Sequence, residues 1–293
     1  MAQIKLIWQS KFVLLVVLPF AAASVVLQAH FFAVDQPQIA VWALGLSLLL
    51  ALAVYQLRAA TPAAAFAGAV ITANLIFSTV NFPYLPWRTA LIPVIAVFVL
   101  SFLATRLGRE KKQRLGTAEG RQGRTAAQIA ANLGMAALAS SELAQSSFIG
   151  SSPANLPPML IFAPALAALC EAAADTVSSE VGQVVGGQPR MITTLRIAEA
   201  GTDGAISLAG TLVGIAAAAI VALVGTLALG GGRTMFTLSL AGGVFGLFFD
   251  SLLGATLERR GWLNNDAVNF LSTASAAGFA LGLLAALPYF GVR

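Results

Sequence analysis

Nine apolar stretches, each about long enough to cross a bilayer, dominate the sequence: residues 12–33, 38–57, 62–81, 88–105, 126–148, 157–180, 204–229, 234–257 and 267–289. A helix rises ~1.5 Å per residue, so about 20 residues cross a hydrocarbon layer of ~30 Å. Backbone groups in lipid must bond internally, which makes such stretches helices. The chain reads as an all-α polytopic membrane protein with about nine transmembrane helices, a single integral membrane domain over residues 1–293. Only 10% of its residues are charged, against roughly 25% in soluble domains. The clearly hydrophilic stretch 106–128 is too short to be a soluble domain. A lone cysteine excludes an internal disulfide and a thiolate metal cluster, and Cys170, set in an apolar helix, reads as inert.

Lys5 and Lys11 before an apolar run resemble the start of a secretory signal, but the run reaches full span length at about residue 33. An uncleaved first helix is therefore favoured over a cleaved leader. With the N-terminus inside, every Lys and Arg except Arg88, Arg233 and Arg293 falls on a cytoplasmic loop, out of 17 in all. The positive-inside rule then sets the N-terminus in the cytoplasm and the C-terminus outside, in a bacterial inner membrane. Trp8, Trp42, Trp87 and Trp262 fall near the expected interfaces. The net charge of +5 comes largely from residues 106–124. That segment is read as a basic cytoplasmic loop that touches anionic lipid, rather than as a nucleic-acid surface.

This orientation, chosen from Lys and Arg alone, also sorts the other polar residues. CEAAADTVSSEVG (170–182) closes the sixth stretch at the cytoplasmic face, and GTDG (201–204) opens the seventh there. Asp250, Ser251 and Gly254 lie near the inner end of the eighth, while Asn265, Asp266 and Asn269 open the ninth. Gln128 and Asn132 open the fifth. Residues 125–290 thus hold the motif-bearing helices, with most of their costly groups in one leaflet.

Helices arriving at the cytoplasm present carbonyls and negative dipole, and two of them add Asp175 and Asp250. A divalent cation resolves such a concentration of negative charge, and Mg²⁺ characteristically takes one or two carboxylates plus substrate phosphates. Glu171 stands four residues from Asp175 on the same helical face, a third candidate metal ligand. Helices leaving the cytoplasm present free N–H groups that favour phosphate. The GTDG glycines, with Thr202 and Asp203 between them, let a ligand approach the backbone closely. Phosphate at helix starts and metal at helix ends together describe a phosphotransfer site. Gly242, Gly246, Asp250, Gly254 and Glu258 repeat every four residues, a stripe that signals close helix packing.

Plainer readings stand beside these. Glu180 and Glu258, near the boundary, fit simple hydration equally well, and GTDG fits a turn with a helix cap as well as a phosphate site. Asp175 and Asp250 are different, because a charge inside an apolar run costs at least ~2.5 kcal/mol at mid-membrane. No GxxxxGK[ST] loop, HExxH helix or protein-kinase signature occurs.

ADTVSSEVG (174–182), PRMITTLRIAEAGTDGAIS (189–207) and FDSLLGATLERRGWLNNDAVNFLST (249–273) resemble an integral membrane family related to transmembrane protein 19. That family includes the chloroplast phytyl-phosphate kinase. GRTAAQIAANLGMAAL (123–138) and TPAAAFAGAV (61–70) are similar to its earlier segments, so the likeness runs from about Thr61 onward. The resemblance implies a membrane kinase that adds phosphate to an isoprenoid (phytyl or prenyl) monophosphate from a nucleoside triphosphate. By motif match it carries over Asp175, Ser179, Glu180, Thr193, Thr194, Gly201, Thr202, Gly204, Asp250, Ser251, Gly254, Asn265, Asp266 and Asn269. Asp175, Asp250 and Glu180 are then the expected catalytic groups. Where the family usually carries Trp, two residues after the first Asp, Val177 stands here.

The expectation is a phosphotransferase at the cytoplasmic leaflet, with Mg²⁺ on Asp175, Asp250 and Glu171. Thr193 and Thr202 contact phosphate, and Arg190 or Arg196 neutralises developing charge. A transporter of a small or anionic solute is the alternative, since Asp175-Thr176 and Asp250-Ser251 faintly echo one another in polar, glycine-broken segments. A lipid-binding scaffold is a third.

Overall fold

A computed structural model describes residues 7–117, 123–149, 157–185 and 187–287. Lys5, Arg121 and Arg293, which enter the charge argument, lie outside the described residues. The fold is almost wholly helical, as expected: α1 (Ile7–Asp35), α2 (Pro37–Gln56), α3 (Pro62–Thr79), α4 (Leu91–Arg106), α5 (Arg109–Leu115), α6 (Ala126–Ala139), α7 (Glu142–Ile149), α8 (Ala163–Val185), α9 (Leu208–Leu229), α10 (Gly232–Leu253) and α11 (Asn265–Ala286). A two-stranded ribbon, β1 (Arg190–Met191) and β2 (Ala205–Ile206), is antiparallel between α8 and α9.

The helix starts are written locally. Thr61 accepts from the Ala64 amide ahead of Pro62, and Thr125 with Gln128 forms a capping box. Ser207 and Asn264 cap α9 and α11 through the Gly210 and Ala267 amides.

Among the described residues, seven helices are long and apolar enough to cross a membrane, or eight if α4 and α5, bent by 65°, count as one span. Nine was the expectation. The shortfall lies in the fourth and fifth stretches. At 16 residues, α4 is short of a full span. The fifth stretch breaks at Ser140-Ser141 into α6, of 14 residues, and α7, of 8. Ser140 ends one helix, and Ser141 accepts from the Ala144 amide at 3.3 Å and so starts the next. Glu142 sits exposed in the first turn of α7, where a carboxylate suits the dipole.

Hydrogen bonds sort the helix ends onto two faces. On one, Thr61 N donates to Arg124 O, Arg106 Nη2 to Leu57 O, Ser10 Oγ to Asp266 and Lys111 Nζ to Val184 O. On the other, Gln145 Nε2 donates to Ser78 O, and Ala90 N to Thr79 Oγ1. Arg88 and Arg233 go to the second face, while Arg106, Lys111 and Arg124 go to the first.

Helix α8 runs through the middle, packed by α4, α6, α9, α10 and α11 and buried almost throughout. Between helices in lipid, association rests on close van der Waals packing rather than hydrophobic drive. A Cβ at Gly214 of α9 would stand 2.7 Å from Ser178 Cβ and 2.8 Å from Ala174 O. One at Gly246 of α10 would stand 2.5 Å from Glu171 Cγ and 2.8 Å from Ala276 Cβ. The glycine stripe thus packs as the sequence suggests, fitting α10 between α8 and α11.

Candidate functional site

The close fit at Gly246 brings three helices together around acidic side chains. Asp175 of α8 and Asp250 of α10 are half-buried neighbours within hydrogen-bonding and charge reach of each other. Glu171, only 1% exposed, lies one turn away, and the Ser272 side chain of α11 is within hydrogen-bonding reach of both Glu171 and Asp250. Glu171 Oε1 and Asp250 Oδ1 are buried with no hydrogen-bond partner among the described residues. Carboxylates so close, with orphaned oxygens, demand a compensating positive charge.

Part of that charge is Arg124. Its Nη2 donates to Thr176 Oγ1 at 3.3 Å, and its guanidinium acts electrostatically on Asp175. The remaining orphaned oxygens suit a hard cation such as Mg²⁺, which takes oxygen ligands and fills its shell with water and phosphate. Among the described residues no three His, Cys, Asp or Glu side chains stand together as a ready-made metal cage. Glu171, Asp175 and Asp250 thus offer oxygens at one place without enclosing an ion themselves.

The GTDG segment reaches this cluster by another route than the expected one. Residues 201–204 do not open a helix, which starts only at Leu208 behind its Ser207 cap. Instead they form a turn before β2, with Gly201 and Gly204 at φ +87° and +74°, conformations that favour glycine. The turn rests on the wide π-helical turn Gly254–Glu258 that continues α10, and a Cβ at Gly254 would stand 2.9 Å from Gly204 N. Such wide turns recur at functional sites. Glu258 in that turn feels the charges of Asp203, Asp175 and Asp266. Partial shielding from water pushes the Asp203 carboxyl above its ordinary value, and Arg259 opposes the shift.

Other expected residues take structural posts. Glu180 is ion-paired with Lys112 at 2.5 Å and accepts from Thr105 Oγ1, which leaves little of it for catalysis. Lys112 is 1% exposed and also donates to the Ala104 and Thr105 carbonyls, so the expected basic loop is partly a helix, α5, nailed to α8. Asp266 accepts from Ser10 of α1, Ser251 bonds to Leu247 O and Ser179 to Thr176 O. Asn269 offers its carbonyl to Ser272 and Thr273, and Asn265 is exposed. Thr193, Thr194 and Arg196 are exposed in the connection between β1 and β2, and no hydrogen bond or ion pair joins them to Asp175 or Asp250 among the described residues.

A cavity of about 810 Å³ opens beside the acidic cluster, walled by α2, α3, α4, α5, α6 and Ala172 of α8. Its walls are mostly apolar, including Leu50, Val94, Val97 and Phe98, and its rim carries Arg58, Arg106, Arg109 and Arg124 with Glu110. Asn132, a residue expected at the site, lines it and donates to Gln128 O. Arg124 belongs to both cavity and acidic cluster. Sequence reading missed this cavity, Lys112 and Ser272. The four rim arginines were visible as charges, but nothing local says that α2 and α4 stand apart behind them.

The family "Integral membrane protein DUF92" matches residues 45–277. An uncharacterized membrane protein of Methanocaldococcus jannaschii is 41% identical over 119 residues, 41% of this chain and 49% of that protein. One of Synechocystis is 33% identical over 204 residues, covering 68% of this chain and 75% of its own. Protein VTE6, chloroplastic, of Arabidopsis thaliana is 29% identical over 195 residues, covering 64% and 57%. The match spans about half the length of the archaeal and plant relatives. No solved structure matches the chain.

Proposed function

The chain belongs to the integral membrane protein DUF92 family, and from that premise we propose that it is a phosphotransferase of the bacterial inner membrane. It phosphorylates an isoprenoid monophosphate from a nucleoside triphosphate, at the cytoplasmic leaflet, with Mg²⁺. One observation carries the reading: Arg124 is shared between an apolar, arginine-rimmed cavity and the Asp175–Asp250 cluster. An amphiphile's phosphate and a metal-bound nucleotide phosphate have their natural places on either side of that guanidinium. The motif resemblance to the phytyl-phosphate kinase family supports the same chemistry.

The terminal phosphoryl group passes to a phosphate oxygen of the acceptor; a new P–O bond forms, and the bond to the nucleoside diphosphate breaks. A phosphate monoester near pH 7 carries about −1.5 to −2 charges, so its oxygen is already a nucleophile and needs no general base. That removes the need for a catalytic Glu180 and agrees with its pairing to Lys112. What remains is to align two anions that repel, which is positioning and electrostatic work. Arg58, Arg106, Arg109 and Arg124 hold the acceptor head, and Arg guanidinium forks suit phosphate. Asp175 and Asp250, with Glu171 behind them, would hold Mg²⁺, which supplies charge neutralisation on the transferring phosphates.

Purified protein in lipid nanodiscs, given phytyl or geranylgeranyl phosphate, Mg²⁺ and each nucleoside triphosphate in turn, tests this. A prenyl diphosphate product is expected from at least one pairing. None from any pairing, with folded protein, ends the proposal.

A further inference from the structure

Helices α2 and α4 are cavity walls that pack mainly on other helices, α2 on α1 and α3 and α4 on α8 and α9, and a bond from Arg106 Nη2 to Leu57 O links their ends at the rim. Both carry large apolar side chains outward, Leu48, Leu49 and Leu52 on one and Ile95, Val99 and Leu103 on the other, as lipid-facing surfaces do. Between them lie Leu50 and Phe98, half-buried and lining the cavity. The arginine rim sits at the helix ends, while Val94 lines the wall 12 residues before Arg106. At 1.5 Å per residue that is a depth of about 18 Å. Ser101, 7% exposed, adds to this wall a hydroxyl that has no hydrogen-bond partner among the described residues.

The geometry points to a lateral portal: a single-chain amphiphile with an anionic phosphate head enters sideways from the bilayer through the gap between α2 and α4. Its chain lies along Leu50 and Phe98, and its head stops under the arginine rim. Four guanidiniums against one carboxylate, Glu110, select an anion. The volume suits one chain: about 810 Å³ falls within the roughly 300–1,000 Å³ of a pocket for a single small ligand. Entry from the side spares the chain any passage through water, whose cost grows with every methylene exposed. Where the ligand is named as the kinase acceptor, the inference rests on the function proposed above; the portal itself does not.

The test uses Leu50→Cys with Phe98→Cys in the full chain, whose one native cysteine, Cys170, is fully buried. The pair is bridged by a reducible bifunctional thiol reagent in phosphatidylcholine nanodiscs. Uptake of radiolabelled geranylgeranyl phosphate is expected to slow at least tenfold on bridging and to recover on reduction. Isopentenyl phosphate, short enough to reach the rim from water, keeps its uptake. Uptake of the long chain unchanged by complete bridging overturns the portal, and equal competition by dioleoyl phosphatidic acid overturns the one-chain assignment. Should the double variant not fold, Leu50→Trp narrows the same gap and is expected to slow uptake in the same order of chain length. Gated uptake without any diphosphate product leaves the portal standing and ends the kinase reading. Product formed at full rate across the bridge does the reverse.

Discussion

Lys112 of α5 and Glu180 of α8 form a 2.5 Å ion pair, with Lys112 shut away from solvent. Breaking one side of a buried pair strands the other charge, at a cost of about 3–5 kcal/mol. Glu180→Ala is expected to destabilise the protein near the lower end of that range, because Glu180 keeps 16% of its side chain exposed. The double variant Lys112→Met/Glu180→Leu should be more stable than either single variant. Chemical-denaturation curves in detergent decide this; additive losses would mean the pair is not coupled.

Asp175 and Asp250 lie within hydrogen-bonding reach of each other, and Arg124 acts electrostatically on Asp175. Asp175→Asn or Asp250→Asn should cut diphosphate formation by about 10²–10³, the usual cost of one electrostatic contact to a transition state. Neither should lower thermal stability, since each relieves repulsion among the acids. A melting temperature that drops with activity would point to a structural role instead.

Gly246 touches Glu171, Ala276 and Ser272 where a methyl group has no room. Gly246→Ala should destabilise by about 1–3 kcal/mol through overpacking and lower activity by displacing Glu171. Gly278→Ala on α11, with nothing within 4 Å, is the control; it should be neutral or stabilise by up to about 1 kcal/mol through helix propensity. Thermal melts of the pair in the same detergent give the comparison.

Gly204 combines a φ of +74° with close contact against Ala255. Gly204→Ala should lift the ribbon off the π-helical turn. Faster proteolysis within residues 187–206, with α-helical content unchanged, is the expected sign, and an unaltered digestion pattern would refute it.

Much of this was legible in the sequence. Caps at Thr61, Thr125, Ser207 and Asn264 are local signals and mark true helix starts. Charge counting collected the polar helix ends on one face, and the meeting of Asp175 with Asp250 follows from that. Two errors arose because local signals were outranked. The stretch 126–148 reads as one span, but Ser140 and Ser141, as back-to-back caps, end one helix and start another. GTDG looked like a helix start because the apolar run begins there, whereas pairing of β1 with β2 delays the helix to Leu208. Lys112 could not be found at all, since its burial depends on a partner 68 residues away.

The seating of Gly204 against the turn that ends α10 ties surface to interior mechanically. Asp250 lies four residues up the same helix, so any molecule that lifts or presses the ribbon pulls on a lever whose far end is a half-buried acid. Under the function proposed above, a ligand that moved the ribbon would be felt at Asp250 by touch, before any of its atoms got there.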